Sequence, residues 1–290
     1  MTNEAQRFDA WVGKSEIHTG VLTLPTVQAM SATLDRVNDD FSEGSQLPPL
    51  WHWLFLLPAA PHSQLSEDGH PRRGGFLPPI ELPRRMWAGG NFHFNHPLIV
   101  GEEISRRSTI KSIEAKKGRS GELVFVCVEH EISGASGIAF TEEHNIVFKE
   151  AAPATIGPDN APSPAPIVAP TTETFSKQIN PDPVLLFRYS ALTFNGHRIH
   201  YDRDYACNVE GYPGLIVHGP LMATLLIELL TEKMPAAKLK KFAYKALGPV
   251  FDTNSFTVCG QQIDDNNVQL WIRNHEGNLC MKGDVEIAAA

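Results

Sequence analysis

Five side chains that can move protons or bind an anion lie within eight residues of one another, in the stretch TFNGHRIHYD. They are Asn195, His197, Arg198, His200 and Asp202. A neutral imidazole, with an ordinary pKa of about 6.5, can both take and give a proton near neutral pH. An amide can hold a water molecule through its oxygen and its NH2 group, and a guanidinium matches the two oxygens of a carboxylate. The stretch therefore predicts a loop that carries acid–base chemistry.

A strongly apolar helix is predicted shortly after this loop. Pro220 suits the first turn of a helix, because its missing N–H would be unpaired there in any case. From Leu221 to Leu230 only Thr224 and Glu228 are polar, and a helix that is apolar on nearly every side is buried on nearly every side. The backbone N–H of Gly219 would then lie at the positive end of a buried helix dipole. It could stabilise a developing negative charge, such as the oxygen of a thioester, although the helix could also be core and nothing more.

Composition excludes several classes of function. The chain has 290 residues, enough for one large domain or two ordinary ones, and 42% of them are hydrophobic. A net charge of -8 disfavours non-specific binding to nucleic acid, which depends on lysine and arginine. The four cysteines lack CxxC spacing, so no metal site and no disulfide framework is expected. We find no signal peptide, membrane span, nucleotide-binding loop or flavin motif, and we expect a cytoplasmic protein that needs no cofactor.

The order of predicted elements repeats on either side of a proline-rich segment. In the first half an amphipathic helix begins near Pro25, a short buried helix spans Leu50 to Leu57, and a loop rich in proline and glycine extends from Pro61 to Pro83. Segments typical of antiparallel strands follow in both halves. They are Arg84 to Phe94, Pro97 to Ile104, Ser108 to Glu114, Leu123 to Ile132, Gly137 to Phe148, Lys241 to Gly248, Asp252 to Gln261, Asn267 to Arg273 and Leu279 to Ile287.

These elements predict an α+β protein with two diverged copies of one unit. The N-terminal copy, which is the degenerate one, spans residues 1–150, and the C-terminal copy, with the catalytic loop, spans residues 171–290. Residues 151–170 repeat proline among small residues, which is typical of an extended linker.

The loop and the helix resemble the MaoC-like family of R-specific enoyl-thioester hydratases. That family has an aromatic residue, then Ser-Gly-Asp-x-Asn-Pro-Leu-His, then His-Gly at the start of a helix. Tyr189, the stretch from Thr193 to His200, and the pair His218-Gly219 hold those places here. With FDAWVGKSE and WAGGNFHFNHPLIVGEEI, the whole chain is most similar to the double-hotdog branch of itaconyl-CoA and mesaconyl-C4-CoA hydratases. That branch also includes a mitochondrial 3-hydroxyacyl-thioester dehydratase.

The resemblance implies a double hotdog fold, with two antiparallel sheets each wrapped on a helix, and a homodimer. It also implies a hydro-lyase that adds water to the double bond of an unsaturated acyl-CoA. The expected substrate is a dicarboxylyl-CoA, with itaconyl-CoA, hydrated to citramalyl-CoA, as the first choice and mesaconyl-C4-CoA (3-methylfumaryl-CoA) as the alternative. A fatty-acid type 3-hydroxyacyl-thioester dehydratase, a non-catalytic acyl-CoA binder and a thioesterase remain open, and Glu228 is the carboxylate that a thioesterase would have on the helix.

One position departs from the family motif and changes the expected chemistry. The family's aspartate, five residues before the histidine, is replaced by Asn195. Because an amide positions water but does not take its proton, His200 becomes the leading acid/base residue, exchanging a proton with water held by Asn195, while the N–H of Gly219 receives the thioester oxygen. The candidates for a second acid/base group are His197, Asp202, His93 and Glu102.

Further residues are expected to bind the substrate. Tyr189, His197, Arg198, His218 and Gly219 complete the predicted site. Arg198, and after it Arg188, could hold the free carboxylate of a dicarboxylic acyl group. The phosphates of CoA could be held by Arg84 and Arg85 or by Arg72 and Arg73.

Overall fold

Ten antiparallel strands form one continuous sheet in a computed structural model that describes residues 4–57, 59–118, 121–150 and 165–288. The strands are β1 (Ser15–Val21), β2 (Arg84–Phe94), β3 (Glu103–Gly118), β4 (Gly121–Gly134), β5 (Gly137–Lys149), β6 (Phe175–Ile179), β7 (Lys238–Ala246), β8 (Phe256–Gln262), β9 (Asn267–Arg273) and β10 (Leu279–Ala288). Their order across the sheet is β1-β3-β4-β5-β2-β7-β10-β9-β8-β6. Each half of the chain therefore supplies five neighbouring strands.

The two halves meet at the pairing of β2 with β7, so the two five-stranded antiparallel sheets are continuous with each other. The pairing runs over five residues, from Gly89 opposite Lys245 to His93 opposite Lys241. A Cβ atom at Gly89 would lie 2.3 Å from the carbonyl oxygen of Tyr244, so the absence of a side chain lets the strands approach. One large buried cluster also contains apolar residues of both halves. Burial of this shared apolar surface stabilises the contact between the two halves.

Helix α3 (Gly219–Lys233) is the central helix predicted from the apolar run, and it extends three residues beyond Leu230. It packs against β6, β8, β9 and β10. Leu226 is fully buried, and its Cδ1 would lie 3.3 Å from a Cβ atom at Gly283 on β10. Glycine at that position therefore gives the helix room to lie close to the sheet.

Two further helices complete the elements around α3. Helix α1 (Leu24–Thr33) confirms the helix predicted near Pro25, and it contacts α2 (Pro183–Leu192). The predicted helix from Leu50 to Leu57 is a single 3-10 turn, Trp51–Leu54. In the ranges that the structure describes, no helix has the length and apolar character needed to cross a membrane.

Three described elements were not predicted. Helix α2 carries ordinary start signals, because the Asp182 carboxylate accepts a hydrogen bond from the N–H of Leu185 at 2.8 Å and Pro183 follows it. Strands β1 and β6 are mostly exposed edge strands, so they lack the apolar pattern from which the other strands were recognised.

The predicted linker falls largely outside the described residues. Residues 151–164 are not described, and residues 165–170 contain no helix or strand, with one isolated bridge between Val168 and Asn278. The boundaries of the two domains stay a prediction.

Replacing Leu226 by alanine should lower the free energy of unfolding by about 2–5 kcal/mol, because it leaves a cavity between α3 and the sheet. Val184→Ala, at a position that is 63% exposed, is the control and should change it by less than about 0.5 kcal/mol. Urea denaturation measures both values. Equal small losses for the two variants would contradict the close packing of the helix.

Candidate active site

The loop after α2 is held in one conformation by short-range hydrogen bonds. The backbone N–H of Asn195 donates to the carbonyl oxygen of Ser190 at 2.8 Å, and the side-chain oxygen of Asn195 accepts from the N–H of His197 at 3.0 Å. A 3-10 turn, Arg198–His200, follows. Asn195 therefore shapes the turn that presents His197 and His200, in addition to any role it has with water.

His200 is buried and has a fixed tautomer. Its Nδ1 lies 2.7 Å from the carbonyl oxygen of Ile216, which can only accept, so Nδ1 carries the hydrogen and Nε2 keeps its lone pair. Burial lowers the pKa of His200 to about 4, although the bond to Ile216 acts in the opposite direction. The ring is therefore neutral near pH 7, with one nitrogen ready to accept a proton.

His218 lies directly under His200 at the start of α3. The two rings stack with centroids 3.7 Å apart. Nε2 of His218 is 2.8 Å from the hydroxyl of Ser190, while Nδ1 is buried without a partner in the described part of the chain. Tyr189 packs its ring edge-on against His218, with centroids 4.9 Å apart. The structure thus brings together Tyr189, His200 and His218, three of the residues assigned to the site from the sequence, and their roles stay a prediction.

Gly219 begins α3 immediately after His218. Among the described residues its backbone N–H has no hydrogen-bond acceptor. A Cβ atom here would lie 3.8 Å from the Cβ of Trp87 on β2, so the first half of the chain closes over the helix start. An unpaired N–H next to a neutral histidine base is the arrangement needed for an oxygen that gains negative charge.

A second group of polar side chains reaches the same place from the long loop of the first half. The Asp68 carboxylate lies 2.9 Å from Nδ1 of His70. The ring of His70 stacks on that of His197, with centroids 4.1 Å apart, and His197 is 5.5 Å from His200 by the same measure. Burial alone would raise the pKa of Asp68, but the hydrogen bonds from His70 hold it below its usual range. This carboxylate is therefore ionised at neutral pH.

Of the four arginines proposed for CoA phosphates, three already have partners. Arg84 pairs with Glu210 at 3.2 Å, Arg73 donates to three backbone carbonyls, and Arg72 donates to the carbonyl of Leu65 at 3.4 Å. Arg85 has no hydrogen bond or ion pair with any residue that the structure describes, and it is only partly exposed. Burial lowers its pKa to about 10 and the charge of Arg73 adds to this effect, while the Asp68 carboxylate acts in the opposite direction. Arg85 therefore remains charged at neutral pH, near the Asp68 anion but without a hydrogen bond to it.

Arg198 and Asp202 are engaged with each other. The Arg198 guanidinium donates two bonds to one Asp202 oxygen, at 3.0 and 2.8 Å, and lies over the Tyr205 ring. The other Asp202 oxygen accepts from the backbone N–H of Tyr205 at 3.0 Å, so this carboxylate caps the backbone of the turn that follows it. Arg188 donates to the carbonyl of Ala32 at 3.4 Å. The substrate-binding role of Arg198 stays a prediction.

The other acidic and basic candidates have different surroundings. The two oxygens of Glu102 accept from the N–H groups of Ile99 and Ala135, at 2.6 and 2.9 Å, and His93 is exposed on β2. Glu228, the carboxylate for a thioesterase, accepts from Arg36 at 2.7 Å and from Trp51 at 2.8 Å. Both of its oxygens thus tie α3 to the first half.

The buried residues Glu142 and His52 form the centre of a further cluster, which extends to Trp87. Glu142 accepts from Trp53 at 3.1 Å and lies 3.0 Å from His52. Burial would raise its pKa, but the hydrogen bond from His52 and nearby charges lower it to about 2. Trp53 packs edge-on against Trp87, whose ring lies 3.8 Å from that of His144 at a tilt of 30°. The cluster therefore fixes Trp87, the residue whose Cβ lies next to Gly219.

Asp68, His70 and His197 offer ligand atoms that all lie within 4.8 Å of one another, a spacing that a metal ion could use. Nδ1 of His70 is nevertheless already hydrogen-bonded to Asp68, so the short distance between these two residues does not require a metal ion.

Sequence reasoning missed Asp68 and His70. The signal available was the polar run Asp68-Gly69-His70 inside a loop otherwise rich in proline and glycine.

Comparisons with known proteins show the family of the chain. Residues 50–252 match the family model described as hydroxyacyl-thioester dehydratase type 2. The chain is 42% identical to the mesaconyl-C4-CoA hydratase of Chloroflexus aurantiacus over 281 residues, which covers 96% of this chain and 97% of that protein.

Solved structures show the fold. A MaoC-like dehydratase from Phytophthora capsici superimposes with a TM-score of 0.68 at 14% identity, over 96% of this chain and 97% of that one. A conserved hypothetical protein from Mycobacterium tuberculosis, described as a double hotdog, gives a TM-score of 0.58 at 13% identity, over 95% and 96% of the two chains. The fold is therefore the double hotdog, as the resemblance implied.

Acidification from pH 7 to pH 5 should lower the free energy of unfolding. Burial lowers the pKa values of six histidines in the folded protein, namely His70, His130, His144, His197, His200 and His218. They bind protons in the unfolded chain below about pH 6.5, before the folded protein binds them, so stability present above that pH is lost as the pH falls.

Denaturant titrations at several pH values measure this loss. His200→Gln should reduce its slope by up to about 1.4 kcal/mol per pH unit, because one such group is gone. A stability that stays constant between pH 7 and pH 5 would contradict the neutral, buried histidines.

Proposed function

Because the chain belongs to the hydroxyacyl-thioester dehydratase type 2 family, we propose that it is an acyl-CoA hydro-lyase that hydrates mesaconyl-C4-CoA. The observation that carries this proposal is the 42% identity, over 96% of the chain, to a mesaconyl-C4-CoA hydratase. Arg85 near the histidines supports it, because its guanidinium makes no hydrogen bond or ion pair with a described residue and could bind a free carboxylate on the acyl group.

The comparisons favour mesaconyl-C4-CoA over itaconyl-CoA, which was the first choice from the sequence. Chemistry favours the same order. In mesaconyl-C4-CoA the double bond is conjugated to the thioester, so water that adds to the β-carbon leaves an enolate on the thioester oxygen. In itaconyl-CoA the double bond is not conjugated and would have to move first.

The start of α3 supplies the enolate site in this proposal. The thioester oxygen accepts a hydrogen bond from the free N–H of Gly219, in a place where the helix dipole favours negative charge. His200, stacked on the residue before Gly219, is then close to the α-carbon. In the simplest balanced scheme, Nε2 of His200 takes a proton from water as the oxygen bonds to the β-carbon. The same nitrogen then gives that proton to the α-carbon.

Arg85 is assigned to the substrate carboxylate. Its charge lowers the pKa values of His70 and His197, so it lies within electrostatic reach of the histidines. In mesaconyl-C4-CoA the carboxylate is attached to the β-carbon and the thioester group to the α-carbon. The double bond therefore lies between the two groups. Gly219 and Arg85 would therefore hold the two ends of the acyl group and align the double bond between them.

Purified protein should hydrate mesaconyl-C4-CoA faster than itaconyl-CoA or crotonyl-CoA, measured in parallel as the mass gain of one water. Crotonyl-CoA lacks the carboxylate that Arg85 would bind. Preference for crotonyl-CoA or longer chains would instead assign a 3-hydroxyacyl-thioester dehydratase of fatty-acid type. Release of free CoA without hydration would assign a thioesterase.

Arg85→Gln should reduce kcat/KM for mesaconyl-C4-CoA by about 30-fold or more, since a buried charge pair would be broken. The rate with crotonyl-CoA should hardly change, because that substrate has no carboxylate. Arg84→Gln, at the neighbouring residue that pairs with Glu210, is the matched control and should not alter the ratio of the two rates. Equal losses with both substrates in Arg85→Gln would argue against the assignment.

His200→Gln should lower kcat for mesaconyl-C4-CoA by about 10²–10⁴-fold while acyl-CoA binding is largely kept, because an acid/base group is lost. Steady-state rates and equilibrium binding of the substrate separate the two effects. Unchanged turnover would dismiss the assignment of His200.

A further inference from the structure

The loop that carries Asp68 and His70 is fixed directly to the catalytic loop. The N–H of Arg198 donates to the carbonyl oxygen of Asp68 at 2.9 Å. A Cβ atom at Gly69 would lie 1.9 Å from the carbonyl oxygen of Gly196, so only glycine allows the two backbones to touch there. His70 is thus placed by backbone contacts, and its distance from the site does not depend on a long flexible side chain.

Asp68 sets the state of the His70 ring. The carboxylate can only accept, so Nδ1 of His70 carries the hydrogen and points at Asp68. The backbone N–H of His70 also donates to the Asp68 carboxylate, at 3.0 Å, and holds it in place. Nε2 of His70 consequently keeps a lone pair, and an adjacent negative charge stabilises the imidazolium that forms when Nε2 takes a proton.

The histidines form a row whose order matches the order of atoms in the proposed substrate. From the helix start the row runs His218, His200, His197 and His70, with ring centroids 3.7, 5.5 and 4.1 Å apart. Gly219, for the thioester oxygen, is at one end, and the charge of Arg85 acts on the other end. The α-carbon would therefore lie nearer His200, and the β-carbon, with its carboxylate, nearer His70.

We propose that His70, oriented by Asp68, is a second catalytic acid/base residue and takes the proton from the attacking water, the step that the simpler one-base scheme gives to His200. The inference rests on the proposed hydration and deepens it. It restores to the site the carboxylate that is lost where Asn195 replaces aspartate, because Asp68 acts through His70. His70 belongs to the first half of the chain and His200 to the second, so each half supplies one of the two bases.

The step balances in protons and electrons. An O–H bond of water breaks as its oxygen bonds to the β-carbon, and the proton goes to Nε2 of His70. The two electrons of the double bond move toward the thioester oxygen, which Gly219 stabilises. The proton on Nε2 of His70 then passes across His197 to Nε2 of His200, which until then carries a lone pair. Nε2 of His200 gives this proton to the α-carbon. Water has been added, and all three rings return to neutral.

Two measurements separate the roles of the histidines. Hydration of mesaconyl-C4-CoA needs both bases. The saturated analogue of the substrate can exchange its α-hydrogens for deuterium in D2O, which is measured as an increase in mass. This exchange needs only the base next to the α-carbon. His70→Gln should therefore reduce hydration by about 10²-fold or more and leave exchange within about threefold of the wild-type rate. His200→Gln should abolish both.

Matched controls test whether the loss of hydration is specific to the His70 ring. His62→Gln, at an exposed position of the same loop, should change neither rate. Asp68→Asn, which removes the charge beside His70, should lose part of the hydration rate and keep exchange. Treatment with EDTA should leave both rates unchanged.

Four outcomes would overturn the proposal. Hydration by His70→Gln at nearly the wild-type rate would show that the residue is not a base. Loss of exchange together with hydration in that variant would assign it a structural role. Loss of hydration with EDTA, restored by Zn²⁺, would assign Asp68, His70 and His197 to a metal site. A wild-type protein that exchanges but does not hydrate would defeat the proposed function itself, before any variant is compared.

Discussion

Burial of the apolar run of one helix, from Leu221 to Leu230, is the constraint on which the rest of the structure depends. Helix α3 can be apolar on nearly every side there because strands of the second half and, through Glu228, residues of the first half surround it. The helix start is partly buried, and the N–H of Gly219 there has no acceptor within the described chain. The same burial keeps His200 and His218 neutral. The apolar run that stabilises the fold thus also creates the electrostatic conditions of the site.

The site combines neutral bases with one cation that lacks a hydrogen-bonded partner. Six histidines have pKa values lowered first by burial, and Arg85 stays charged with the Asp68 carboxylate acting on it but with no ion pair among the described residues. A partly buried charge without a hydrogen-bonded partner is costly to keep. A substrate carboxylate that pairs with Arg85 would recover this cost, and at the same time would make the nearby histidines stronger bases. Binding and chemistry are linked in this way because they share one local electric field.

Much of the second half could be predicted from the sequence because its signals are local. Gly219-Pro220 and the apolar run that follows predict the buried helix, and the spacing from Asn195 to His200 identifies the loop. Asp68, His70 and Arg85 could not be placed in the same way. Their roles depend on contacts across more than a hundred residues, such as that between Asp68 and Arg198, and no local pattern encodes them. The continuous sheet was missed for the same reason, since the pairing of β2 with β7 joins distant segments.

The glycine contact between the two loops has a consequence for how the chain can be rebuilt. A Cβ atom at Gly69 would lie 1.9 Å from the carbonyl oxygen of Gly196, and one at Gly196 would lie 3.0 Å from the carbonyl oxygen of Gly69. Because one of these glycines lies in each half of the chain, the halves are not independent modules. A chimaera in which one half is exchanged would have to keep this backbone contact, even if each half folded well alone.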